Sequence, residues 1–339
     1  MTAIRLSHAG LAGLGLLALL TSGCGGNTPS TPAPAPSVVQ PTPVPPPAPV
    51  VPTSWKIRGL IIAATDGHRI PNATLAVDGL APVVADGAGD YAIETPDAQV
   101  RRLLVNADGY LYRETALRGG EARVEVNIDL IPTYGDFLTL YREMARNTWE
   151  QPTHPQPTRR WTGNPNIYIE TRWRDGGAPV NPAAVARMIS EIRRIVPQLS
   201  GGRLVAGTIE SGPEVRPLTP GWISIHFDHS GNYGQLGANP GEVQIAGDSE
   251  CSISIAILHE LGHAMGYWHN GTFHGPAHQT SAMGGGYQGC GPADFTPLEQ
   301  LVAQVMYSRP PGNVEPDRDP SGTMVYLRPS DSTAPRVIE

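Results

Sequence analysis

Three histidines within eleven residues constrain this chain more than any other feature of its sequence. Residues 259 to 269 read His-Glu-Leu-Gly-His-Ala-Met-Gly-Tyr-Trp-His, the pattern H-E-x-x-H-x-x-G-x-x-H. His259 and His263 are four residues apart, so on a helix their side chains lie on one face, one turn apart. Gly266 can end that helix in a left-handed conformation that a side chain would resist, and the reversed chain brings His269 back toward the first two rings. The spacing therefore predicts a helix and a tight reversal around one point.

The same residues have the chemistry of a catalytic metal site. Three imidazoles suit Zn²⁺ and leave its fourth position open, which is typical of catalytic and not of structural zinc. Glu260 lies one step around the helix from His259, too far to bind the same ion but placed to take a proton from a water beside it. A buried cluster of histidines without metal is the alternative, and the fixed spacing of all these residues argues against it. We expect one catalytic Zn²⁺ on His259, His263 and His269, with Glu260 as catalytic base.

This string resembles the signature of the metzincin clan of zinc peptidases. Metzincins place a methionine-containing turn beneath the metal, and residues 281 to 284, Ser-Ala-Met-Gly, follow the motif at a suitable distance. Met283 would pack under the rings without binding the metal. Residues 296 to 299, Thr-Pro-Leu-Glu, form a capping box before a closing helix that resembles the last helix of matrixins. The resemblance implies a matrixin-like α+β zincin catalytic domain over residues 135 to 308, preceded by a small all-β sandwich.

By the same resemblance the reaction is hydrolysis of peptide bonds, with a protein or peptide outside the cytoplasm as substrate. The substrate is expected to lie extended along a strand edge, at residues 222 to 227 or 242 to 246. No cysteine-switch segment of the matrixin kind precedes the domain. Astacin- and serralysin-like enzymes carry a tyrosine two residues after the methionine, whereas Tyr287, the candidate transition-state stabiliser, lies four residues after Met283.

Other histidines allow two readings. His226, Asp228 and His229 could hold a second, structural ion, Ca²⁺ or Zn²⁺, as some matrixins have. Surface or hydrogen-bonding roles are the alternative for these residues and for His274 and His278.

The three cysteines bear on the compartment of the protein. Cys24 follows Thr21-Ser22-Gly23 and an apolar run at residues 11 to 20, which is too short for the ~20 residues that span a bilayer. Residues 1 to 24 therefore predict an export signal and resemble a bacterial lipoprotein lipobox. This implies a membrane anchor through lipidated Cys24 at the outer membrane or cell surface, with secretion as the alternative. In an exported chain Cys251 and Cys290 would form a disulfide, or remain two free thiols.

Composition divides the rest of the chain. Residues 25 to 54 are a Pro-rich linker with almost no charge. Residues 55 to 132 alternate short apolar runs with turns, which predicts an antiparallel β-sandwich. Their Asp-Gly turns followed by tyrosine resemble the carboxypeptidase regulatory-like module, with either a binding or a plain structural role. Residues 309 to 339 are rich in Pro, Asp, Ser and Arg, and are expected to form a loosely ordered tail.

The net charge of the chain indicates which kinds of partner it can bind. The formal net charge is −7, from 24 basic and 31 acidic residues, and no basic block is present, so nucleic acid is not expected as a partner. We expect a monomer. A different class of function is a surface binding or adhesion lipoprotein whose zinc-binding scaffold lacks protease activity. Glu260 argues against it, because a scaffold needs no general base.

Overall fold

The computed structural model describes residues 54–118, 124–271, 281–284, 293–321 and 323. All of these belong to one compact unit. Several predictions concern residues outside this part of the chain: the signal segment at residues 1 to 24, nearly all of the linker, and Cys24, Tyr287, Cys290, His274 and His278. Among the described helices, none combines the length and apolarity that a membrane crossing needs.

The first part of the described chain consists of two four-stranded sheets. Their strands are β1 (Trp55–Ala63), β2 (Thr74–Val77), β3 (Val83–Val84), β4 (Asp90–Thr95), β5 (Val100–Asn106), β6 (Arg113–Arg118), β7 (Val124–Glu125) and β8 (Ile128–Leu130). One sheet has the order β4-β1-β7, with β8 also paired to β1, and the other has the order β3-β2-β5-β6. Apolar residues of both sheets share one core, among them Ile61, Leu75 and Leu103. Pairing is not all antiparallel, because β7 and β8 both run parallel to β1.

The second part contains a five-stranded sheet and four helices. The strands are β9 (Asn166–Trp173), β10 (Ile209–Gly212), β11 (Trp222–Phe227), β12 (Tyr233–Gly234) and β13 (Gly241–Ile245), in the order β10-β9-β11-β13-β12. The helices are α1 (Asp136–Arg146), α2 (Pro182–Leu199), α3 (Glu250–Met265) and α4 (Pro297–Ser308). Only β12 is antiparallel to its neighbour; the other pairs are parallel.

Local sequence explains where two of these helices begin. Asn181 accepts a hydrogen bond from the backbone N–H of Ala183 and precedes a proline at the first position of α2. At α4, Thr296 and Glu299 form the reciprocal capping box that the sequence predicts.

The predicted fold class is wrong. We expected an α+β zincin domain preceded by a small all-β sandwich, whereas the described chain has thirteen strands in three sheets and four helices, and is thus mostly β-sheet with few helices. The physical reason is that an eleven-residue motif fixes one helix and one reversal. It does not fix the number of strands around them, since strand pairing depends on residues far apart in the chain.

Of the predicted loosely ordered tail, residues 309 to 339, the structure describes only residues 309–321 and 323, and several of these make defined contacts. Arg309, Asn313 and Asp317 are fully buried, and Asp319 is nearly so. The chain pairs with β6 here, because Glu114 exchanges backbone hydrogen bonds with Asp317 and Asp319.

A buried group of charges fixes this segment. The Arg309 guanidinium donates to both carboxylate oxygens of Asp317, at 2.8 and 2.7 Å, and to Asp129 in β8 at 2.6 Å. Arg113 in β6 also donates to Asp129. Burial alone would raise the pKa of Asp129, but the charges of Arg309 and Arg113 outweigh it and hold that pKa well below its ordinary range. The pairing therefore compensates the charge of Arg309, which is fully buried.

We predict that Asp129→Asn lowers the free energy of unfolding by about 3 kcal/mol at pH 7, because it leaves the buried Arg309 with one carboxylate in place of two. The folded-state pKa of Asp129 is depressed, so its contribution is complete above about pH 4, the unfolded value, and is lost as the pH falls toward the folded value. Urea unfolding followed by tryptophan fluorescence measures the free energy of unfolding. The wild type should be more stable than Asp129→Asn at pH 7, and the difference between the two should narrow below about pH 4. Asp108→Asn, on an exposed turn, is the control; an equal loss in both variants would contradict the assignment.

Candidate metal centre

The motif helix ends where the spacing predicts. Gly266 has φ 112°, and its N–H bonds to the carbonyls of Gly262 and His263. A Cβ at this position would lie 1.8 Å from the carbonyl oxygen of Arg159, so two constraints exclude a side chain: the positive φ and the neighbouring backbone. The chain reverses here and returns toward α3.

This reversal brings the three histidine rings together. His263 Nε2 lies 3.1 Å from His259 Nε2 and 3.1 Å from His269 Nε2. Each Nδ1 faces a different oxygen at 2.7 Å: Ala282 O for His259, Tyr267 O for His263, and Glu150 Oε1 for His269. A carbonyl or carboxylate oxygen can only accept, so each ring carries its proton on Nδ1. The Nε2 lone pairs therefore converge on one point.

The geometry fits a zinc ion. Nitrogen ligands bind zinc at about 2.0–2.1 Å, so tetrahedral neighbours on one ion lie about 3.3 Å apart. The observed separations of 3.1 Å are close to that value. Lone pairs at this distance repel unless a cation lies between them, and the three rings are the group within the described residues that could hold a metal ion.

Burial shifts the pKa values of three ionisable groups in the motif: His259, Glu260 and His263. It lowers the pKa of His259, and together with the charge of His259 it lowers the pKa of His263 to about 3, so both rings are neutral near pH 7. Burial also raises the pKa of Glu260 to about 7. A carboxyl group with a pKa near the working pH can both accept and return a proton.

A buried polar network fixes the turn beneath the rings. Ser281 donates to Glu299 Oε1 at 2.9 Å and to Asn270 Oδ1 at 3.0 Å, and the backbone N–H of Met283 donates to Glu299 Oε1 at 3.2 Å. Glu299 Oε2 accepts from the backbone N–H of Thr296 at 2.9 Å. One carboxylate therefore caps α4 and holds the turn, whose Ala282 carbonyl orients His259. The sequence indicated only the capping role.

Met283 lies directly under α3. It is fully buried, and a Cβ added to Gly262 would lie 2.6 Å from its Sδ. Gly262 thus leaves the space that the thioether fills.

An open cleft of about 510 Å³ lies beside the rings and is lined by Trp149, His259, His269, Asn270, Gly271, Met283 and Gly284. Trp149 is 54% exposed despite its size. A Cβ on Gly271 would lie 1.7 Å from the indole, so the ring rests against the bare backbone at Gly271. Neither Trp149 nor Glu150 was among the predicted site residues, since no local motif marks them.

The predicted substrate edge needs correction. β11 lies inside the sheet, between β9 and β13, and β12 pairs with part of β13, so neither predicted strand is the free edge. The outer strands are β10 and β12, and β12 passes close to the motif helix: a Cβ on Gly234 would lie 2.2 Å from the carbonyl oxygen of Glu260. Periodicity alone did not indicate so short a strand.

The structure does not bring His226, Asp228 and His229 to one point. His226 Nε2 lies 3.1 Å from Gln244 Oε1, while His229 Nδ1 lies 2.7 Å from Asp175 Oδ2. Hydrogen bonding describes their contacts, so a second Zn²⁺ or a structural Ca²⁺ gains no support from the described residues. Cys251 is disulfide-bonded, and its predicted partner Cys290 lies outside the described residues.

Comparison with known proteins gives little beyond this geometry. No protein-family profile and no curated protein matches the chain. Among solved structures, the Bacillus anthracis TIE protein matches with 13% identity and a TM-score of 0.22, over 24% of this chain and 17% of its own. Hydroxyquinol 1,2-dioxygenase from Pseudomonas putida matches with 10% identity and a TM-score of 0.21, over 24% of this chain and 57% of its own. A DUF3823 family protein from Parabacteroides merdae matches with 14% identity and a TM-score of 0.20, over 24% of this chain and 48% of its own.

This chain therefore spans less than two thirds of each of these three proteins. Likenesses this partial and this weak carry no argument about function.

We predict that Gly262→Ala destabilises the protein by about 1–3 kcal/mol, although alanine is the better helix former, because the new methyl group meets Met283 Sδ. In the Met283→Ala background the same substitution should be neutral or stabilising, since the obstacle is gone. A double-mutant cycle of urea unfolding measures the coupling. Additive effects would show that Met283 does not fill this space.

Proposed function

We propose that this chain is a zinc-dependent endopeptidase that hydrolyses peptide bonds in proteins outside the cytoplasm. One observation carries the proposal: the Nε2 atoms of His259, His263 and His269 converge, each with its Nδ1 engaged. Glu260, which follows His259 on α3, supplies a buried carboxyl group on the same helix. Three neutral imidazoles leave one coordination position free, and a neighbouring general base has no purpose in a structural zinc site. The resemblance of the motif to metzincins supports the same chemistry.

Each group at the site has its own role in the proposed hydrolysis. When bound, Zn²⁺ would supply Lewis acidity to a water molecule and to the substrate carbonyl. Glu260, mostly buried at 7% exposure, accepts the proton of the attacking water and then returns it to the leaving amine. Met283 and the network around Glu299 keep the floor of the site rigid, so that the rings need not reorganise during the reaction.

The substrate would lie between the cleft and the sheet edge. Trp149 offers an exposed aromatic face next to His269, suited to a bulky apolar side chain of the substrate. The outer edge of β12 offers backbone groups to an extended peptide. We also propose export and a membrane anchor through lipidated Cys24, on the lipobox resemblance alone.

The first test is cleavage of casein by the purified protein. We expect activity to disappear on zinc removal by a chelator and to return when zinc is restored. Glu260→Gln, which keeps the shape of the side chain, should retain one zinc per chain and lose about 10²–10⁴-fold in kcat/KM. Asp175→Asn is the control, because Asp175 contacts His229 away from the cleft. Zinc binding without cleavage in the wild-type protein would overturn the proposal and favour a binding or adhesion lipoprotein, whereas cleavage unchanged in Glu260→Gln would overturn the role of Glu260 as the base.

A second test concerns the wall of the cleft. Trp149→Ala should raise KM for peptides with bulky apolar side chains about 10-fold or more while zinc content stays at one per chain, because a buried aromatic contact is worth about 1.5–3 kcal/mol. Trp149→Phe should retain part of the affinity. Tyr134→Ala removes another exposed aromatic side chain, outside the residues that line the cleft, and should leave KM unchanged. An unchanged KM in Trp149→Ala would remove Trp149 from the substrate site.

A further inference from the structure

The three histidines differ in the kind of group that holds their Nδ1 atoms. His259 and His263 belong to α3, and their Nδ1 atoms face backbone carbonyls. His269 follows the helix, and its side chain is 46% exposed. Its Nδ1 partner is a side chain, Glu150, which lies 119 residues earlier in the sequence. The orientation of this third ring therefore depends on a distant segment.

We propose that Glu150 is a positioning residue, a carboxylate that holds the His269 ring in the tautomer and orientation needed to complete the metal site. The proposal rests on the proposed function, because it assigns Glu150 a role toward the same zinc ion. Glu150 does not reach the metal or the substrate in this role; it acts through His269.

The segment that carries Glu150 is held by contacts that do not involve the three ring Nε2 atoms. Asn147 ends α1 with φ 59°, and its carbonyl accepts from the backbone N–H of Gln151 at 2.9 Å, closing a turn around Glu150. Two further contacts join this region to the chain around His269. The backbone N–H of Trp268 donates to the carbonyl of Met144 at 2.8 Å, and the indole of Trp149 rests on Gly271.

These contacts lie on both sides of His269 in the sequence, at Trp268 and at Gly271. The Glu150 carboxylate and the His269 ring therefore belong to two segments that are both held at the end of α1. A loose surface ion pair would contribute little, because two long side chains must be ordered to form it. Here backbone contacts hold both segments, so that only the Glu150 and His269 side chains, 39% and 46% exposed, remain to be ordered by the pair.

The choice of a carboxylate has a chemical consequence. A histidine that donates Nδ1–H to a carboxylate is fixed with its Nε2 lone pair free and is a stronger base toward the metal than one that donates to water. Loss of such a partner typically costs about 10–100-fold in metal affinity or activity.

The experiment measures zinc affinity in the full chain by competition with a chromophoric chelator. We expect Glu150→Ala to raise the zinc Kd about 10–100-fold and Glu150→Gln to raise it less, since the amide oxygen still accepts the hydrogen bond. Without zinc, both Glu150 variants should have the far-UV circular dichroism spectrum and the unfolding midpoint of the zinc-free wild type. Cobalt substitution provides a second readout, because altered ligation of His269 changes the visible absorption of bound Co²⁺.

Asp175→Asn is the matched control. Asp175 and His229 form the same kind of pair at the same Nδ1–oxygen distance of 2.7 Å, away from the three rings, so its zinc Kd should stay at the wild-type value. A wild-type Kd and cobalt spectrum in folded Glu150→Ala would overturn the positioning role and leave the proposed function intact. Absence of zinc binding in the wild-type protein would overturn both.

Discussion

Three nitrogen lone pairs converge, with the Nε2 of His263 3.1 Å from that of His259 and 3.1 Å from that of His269, and the rest of this site can be understood as what keeps them there. Lone pairs in this arrangement repel, and a cation bound between them would remove that repulsion. Helix α3 fixes two rings by its pitch, and Gly266 returns the third. The three Nδ1 partners then prevent each ring from rotating its lone pair away. A site held in this way does not have to be assembled by the metal, so little ordering entropy opposes binding.

Those three partners come from very different distances along the chain. The Tyr267 carbonyl lies four residues from His263 and belongs to the motif itself. The Ala282 carbonyl lies 23 residues from His259, on the turn that the Glu299 carboxylate holds. The Glu150 carboxylate lies 119 residues from His269. The motif alone therefore orients one ring out of three, and the orientation of the others depends on α4 and on the end of α1.

Features that depend on residues close together in the sequence could be predicted from it, and features that depend on distant residues could not. The helix with its end at Gly266 and the capping box at Thr296 follow from residues within a few positions of one another, and sequence reasoning identified both. The fold class was wrong, and the edge strand was misplaced, because strand order depends on pairings between distant segments. Glu150 carries no local signal, since an exposed glutamate after a helix is ordinary. The segment from Arg309 to Asp319 was expected to be loosely ordered, because composition does not show that its buried polar residues pair with one another and with β6, β8 and α1.

Buried charge connects that segment to the candidate metal site. Arg146, in the last turn of α1, is fully buried and donates to Thr158 and Asn313. Asn313 in turn donates to Asp317 at 3.0 Å, and Asp317 pairs with Arg309. Replacing such ion pairs by apolar residues is often neutral for stability, so their value lies in specifying one arrangement. Here the arrangement fixes the end of α1, from which the turn carrying Trp149 and Glu150 projects. The order of His269 thus depends on a polar core that contains none of the ligands, because a carboxylate can orient an imidazole only as well as its own backbone is held.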